Sequence, residues 1–88
     1  MSNEKFAICI RQAGNVFVVH PANEEKVEES KAISEKNVWY YSTTKSLTEF
    51  ATAGVFGSYT SFAEAESAIT AVDPSATLIY RPPNPPDA

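Results

Sequence analysis

The sequence predicts an α+β fold: a small antiparallel sheet of about four strands, with one main helix and one short helix packed on one face. Three observations lead there. Two apolar, β-branched runs flank a glycine-containing turn at residues 12–15, the pattern of a hairpin. Two later segments, Ser46-Leu47-Thr48-Glu49 and Ser61-Phe62-Ala63-Glu64, carry the serine-to-glutamate spacing of a capping box and so mark helix starts. Three consecutive aromatic residues, Trp39, Tyr40 and Tyr41, stand in a run of strand formers.

The first strand covers residues 5–11, with Phe6, Ile8 and Ile10 on one face and Ala7 and Cys9 on the other. Gly14 serves the turn because it accepts positive φ without steric cost. The second strand, 16–20, holds Val16, Val18 and Val19, and Pro21 is expected to end it by removing a ladder donor. Residues 22–37 are a polar middle in which only Val27, Ala32 and Ile33 are apolar anchors. A helix there places Glu24 over Glu28 and Glu25 over Glu29, which repels. A long loop and a marginal helix capped by Asn23 both remain open for this segment.

The third strand is 38–43. The helix begun at Ser46 is brief, because Gly54 is a natural residue just past a helix end. Residues 54–60 read as a short strand or an irregular loop. The main helix runs from Phe62 to about Val72, where Phe62, Ala65, Ile69 and Val72 make a narrow apolar stripe, and Asp73-Pro74 stops it. A last strand covers 77–81, with Leu78 and Tyr80 opposite Ile79. The chain thus divides into a single α+β domain over 1–81 and a flexible proline-rich tail over 82–88.

At 88 residues with a net charge of −4, the chain is one small acidic domain. A domain of this size buries only about 60–65% of its unfolded surface, so a second copy is a common remedy and a homodimer stays in view. Seven basic residues, scattered from Lys5 to Arg81, argue against a phosphate-gripping surface, so a nucleic-acid partner is disfavoured. The single Cys9 excludes an intramolecular disulfide and any multi-cysteine zinc site. No run approaches the roughly 18–20 apolar residues of a membrane span, so no membrane association and a cytoplasmic location are the expectations.

Catalytic motifs are absent. His20, the only histidine, lies at a strand end before Pro21, the position of an ordinary half-exposed side chain. Cys9 and His20 have the placement to meet across the hairpin, but a nucleophilic thiol needs an electropositive, accessible setting. The Glu24, Glu25, Glu28 and Glu29 cluster has no glycine for a calcium loop, and no cofactor or metal is expected. Gly54-Val55-Phe56-Gly57 lacks the lysine and spacing of a phosphate-binding loop.

Residues 57–69, Gly-Ser-Tyr-Thr-Ser-Phe-Ala-Glu-Ala-Glu-Ser-Ala-Ile, resemble the strand–helix junction of hybrid-binding ribonuclease H accessory domains. The resemblance covers about a dozen residues, and the basic, aromatic platform of those domains is not evident, so it implies no function here.

The aromatic triad carries the functional expectation. Neighbouring strand residues face opposite ways, so Tyr40 cannot share a face with Trp39 and Tyr41. If one face covers the core, the aromatic surface on the other needs a second cover, which could be a helix of the same chain, a second copy or a partner. The expected function is therefore a small acidic, non-enzymatic protein-binding module, an accessory or inhibitor protein of bacterial or phage type. Trp39, Tyr40 and Tyr41 would anchor the partner protein, and Glu24, Glu25, Glu28 and Glu29 would form a charged rim. The alternative is a nucleic-acid-binding module that stacks bases on the same aromatics.

Overall fold

Residues 6–82 are described by the computed structural model, in the order β1 (Phe6–Ala13), β2 (Val16–Ala22), α1 (Glu24–Ile33), β3 (Val38–Thr43), α2 (Leu47–Thr52), β4 (Gly57–Tyr59), α3 (Phe62–Val72) and β5 (Thr77–Tyr80). The five strands form one sheet in the order β4-β2-β1-β3-β5, and every neighbouring pair is antiparallel. The α+β class stands. The count of strands rises from about four to five and of helices from two to three, because the 54–60 segment supplies β4 and the polar middle supplies α1. Residues 83–88, most of the proline-rich tail, lie outside the described residues.

The main and short helices, α3 and α2, share one face as expected, and the additional helix α1 covers the other. Ile8, Ile10, Val19 and Tyr41 form a core with Phe50 of α2 and with Ala65 and Ile69 of α3. On the opposite face Ala7, Cys9, Val38 and Tyr40 pack against Val27 of α1. The sheet is thus the middle of three layers. The physical reason lies in β1, where Ala7, Ile8, Cys9 and Ile10 are all buried. A strand that is apolar on both sides has to be covered on both sides.

α1 forms despite its like charges because its ends are well satisfied. The Asn23 side-chain carbonyl accepts from the Lys26 amide at 2.8 Å, and Glu24 and Glu25 lie in the first turn, where the helix dipole favours anions. At the other end Ser34 adopts φ 52, and the Glu35 amide reaches back to the Ser30 carbonyl at 2.9 Å. The Glu24–Glu28 and Glu25–Glu29 pairs are exposed to water, where their repulsion amounts to a few tenths of a kcal/mol.

Pro21 does not end β2, which continues to Ala22 with Pro21 opposite Ile8. Among the described residues β4 pairs only with Phe17, Val18 and Val19, so beyond that point β2 has β1 as its one neighbour and a missing donor on the open side breaks no ladder bond.

The two capping serines behave as the spacing predicts. Ser46 accepts from the Glu49 amide and Ser61 from the Glu64 amide. The return reach of Glu64 goes one residue further than a capping box requires, to the Thr60 hydroxyl at 2.9 Å. Gly54, with φ 77, closes α2. At the end of α3 the Asp73 carboxylate accepts from the Thr43 hydroxyl and the Ser75 amide, tying that turn to the end of β3. α3 therefore carries the chain from one sheet edge, β4, to the other, β5.

Ile69 fills the core under α3 and Asn23 caps α1, so their loss acts on different layers. Ile69→Ala is expected to cost about 2–5 kcal/mol, and Asn23→Ala about 1 kcal/mol. Urea denaturation checks both through the shift in midpoint.

Candidate functional site

β3 turns its aromatic residues to alternate sides. Trp39 and Tyr41 face α2 and α3, and Tyr40 faces α1. Trp39 is half-buried, with its ring 4.9 Å from Phe62 and 6.1 Å from Phe17. Tyr40 and Tyr41 keep only 2% and 3% of their surface exposed. The chain's own helices enclose Tyr40 and Tyr41 and cover part of Trp39. The expectation that a small sheet leaves one set uncovered is therefore overturned, because α1 shelters the second face. Tyr40 and Tyr41 therefore present no exposed ring face, while Trp39 keeps part of its surface open.

The tyrosine hydroxyls are satisfied internally. Tyr41 donates to a Glu66 carboxylate oxygen at 2.8 Å, and burial, reinforced by that carboxylate, raises its pKa well above the ordinary phenol range. On the α1 face the Ser30 hydroxyl sits 2.6 Å from Glu35 Oε1 and 2.8 Å from the Tyr40 hydroxyl. Serine has one proton to give, and the carboxylate can only accept, so Tyr40 donates to Ser30. Glu35 Oε2 accepts from Arg11 at 2.9 Å, and the Glu35 backbone carbonyl accepts from the Tyr80 hydroxyl at 2.7 Å. Helix end, central strand and edge strand thus meet at one glutamate. The bonds from Ser30 and Arg11 hold the Glu35 carboxyl below its usual range.

Cys9 stands directly opposite both His20 of β2 and Tyr40 of β3. Burial pushes its thiol up to about 11, so at neutral pH it is a protonated, enclosed side chain. His20 Nδ1 lies 3.0 Å from the Pro21 carbonyl, which can only accept, so that nitrogen carries the proton. Among the described residues no three His, Cys, Asp or Glu side chains gather to hold a metal ion, and no helix is long and apolar enough to cross a membrane.

Glu24, Glu25, Glu28 and Glu29 are all exposed on α1, whose sequence sets four glutamates against two lysines. They do not share a surface with the aromatic triad. Glu24 and Glu28 instead look over a groove of about 360 Å3 lined also by Val27, Lys31, Ser42 and Ile79. Glu25 and Glu29 are not among its lining residues.

The groove brings in β5, whose side chains simple alternation misplaced. Between Tyr40 and Tyr41 the register shifts, with Tyr40 opposite Tyr80 and Tyr41 opposite Leu78. β5 thus carries one extra residue, Ile79, a β-bulge. Leu78 and Ile79 remain 39% and 40% exposed. Among the described residues β5 is an outer strand, so its far side presents unpaired backbone groups. The proline run beginning at Pro82 was the available signal, since prolines after a strand belong at a sheet edge.

Comparison with protein-family models, with curated proteins and with solved structures found no match to this chain. The junction at 57–69 has the strand–turn–helix form that its resemblance implies, with β4 followed by the Ser61-capped α3.

Two measurements probe this interior. Because the folded pKa of Glu35 lies below the unfolded value near 4.5, its stabilisation is complete above that pH and is lost as pH falls through the folded pKa. Acid titration of stability is expected to be shallower for Glu35→Gln than for the parent. Cys9 is expected to resist iodoacetamide at pH 8 in the native protein and to react rapidly in denaturant, as mass spectrometry would record.

Proposed function

We propose that this chain is a small, non-enzymatic protein-binding module that docks a partner protein through its β5 edge. The observation that supports the reading is the coincidence, on one outer strand, of unpaired backbone groups with two large aliphatic side chains left in water. Unpaired strand edges bind extended segments by adding a strand: backbone hydrogen bonds give adhesion and alternate side chains give selectivity. The edge is blunted by its shortness and its bulge, yet it keeps two aliphatic side chains exposed.

This reading moves the anchors from Trp39, Tyr40 and Tyr41 to Leu78 and Ile79 and keeps Glu24 and Glu28 as the charged rim. Replacement of the triad would then report on folding, since Tyr40 and Tyr41 belong to the two cores. The size and acidity of the chain suit an accessory or inhibitor protein of bacterial or phage type, with a cytoplasmic location.

Selection of a displayed random-peptide library on the immobilised chain tests the reading. Enriched peptides are expected to bind Leu78→Thr/Ile79→Thr about tenfold more weakly, a loss of about 1–2 kcal/mol for the apolar area removed. Circular dichroism should be unchanged, because both side chains are exposed. Peptides that bind parent and variant equally would place the docking surface elsewhere.

A further inference from the structure

The groove between α1 and β5 has a mixed chemistry that narrows the partner. Its floor is apolar, with Val27 buried and Ile79 partly exposed, and its rim holds the carboxylates of Glu24 and Glu28. Lysine and arginine have the matching shape, an aliphatic stem that packs on apolar surface and a cationic head that stays at the rim. We infer that the segment added to β5 is an extended strand of another protein bearing a lysine or arginine on the side that faces α1; this rests on the docking role proposed above for the edge.

The local charges favour that occupant. Among the described residues the one cation lining the groove is Lys31, which approaches Glu28 at 3.6 Å in a pair whose side chains are largely exposed. Such a pair contributes little and yields readily to an incoming cation. No ion pair engages Glu24 among the described residues.

A second copy of the chain fits less well. If β5 paired antiparallel with β5 of a copy about a twofold axis normal to the sheet, both α1 helices would lie on the same side of the joined sheet. Glu24 and Glu28 of one copy would then confront their counterparts across the joint, and like charges placed opposite each other oppose association. The acidic rim selects against self-pairing and for a basic partner strand.

Nuclear magnetic resonance titration at neutral pH tests this with two probes, acetyl-Lys-Val-Lys-Val-Lys-Val-amide and its glutamate counterpart. The lysine peptide is expected to shift the amides of Thr77–Tyr80 and Glu24–Lys31 and to bind at least about tenfold more tightly than the glutamate peptide. The difference should shrink as salt rises. In Glu24→Lys/Glu28→Lys, whose changes are both exposed, the preference should reverse. Equal binding of the two peptides at β5 would overturn the cationic partner while leaving edge docking intact. Shifts at β5 with neither peptide would overturn the docking role as well. Shifts there that follow protein concentration alone would identify a second copy as the occupant and overturn the inference.

Discussion

The central constraint is that β1 is apolar on both faces. With Ala7 and Cys9 on one side and Ile8 and Ile10 on the other, all buried, no arrangement with helices on a single side shields the strand from water. The rest follows from that requirement. β3, paired along β1, places Tyr40 on the Cys9 side and Trp39 and Tyr41 on the Ile8 and Ile10 side. α1 has to close one layer, and α2 with α3 the other.

The two layers are held by different means. The α2/α3 layer is thick with large apolar side chains, among them Phe50, Ile69, Phe62 and Trp39. The α1 layer buries only Val27 and Ser30 from its helix and leaves Ile33 70% exposed. What the α1 layer lacks in apolar area it offsets with directed bonds converging on Glu35, from Ser30, Arg11 and Tyr80. Buried and part-buried polar groups of this kind stabilise only while every partner is present. The α1 layer is therefore the more condition-sensitive of the two, and it is the layer that borders the proposed docking groove.

Much of the framework was legible because it is set locally. The turn at Gly14, the serine caps at positions 46 and 61 and the stripe from Phe62 to Val72 are encoded by neighbours in sequence, and each appears where the spacing puts it. The misreadings share a different cause. Whether 22–37 forms a helix depended on Val27 and Ser30 finding Tyr40 and Glu35, contacts that composition does not display. The side on which α1 packs followed from the same contacts, and so did the enclosure of Tyr40. Leu78 and Tyr80, expected on one face, pair with Tyr41 and Tyr40 on opposite faces because the bulge at Ile79 breaks the alternation on which strand faces are assigned. The acidic segment was visible, but its pairing with β5 across the groove is a tertiary fact.

The bulge at Ile79 also limits what the sheet can grow into. An extra residue coils the outer strand locally, and the proline after Arg81 supplies no amide for a further rung. β5 offers only a short outer edge, Thr77–Tyr80, which gives a long flat ribbon little template to extend. The irregularity that shapes this edge thus also works against open-ended stacking along it.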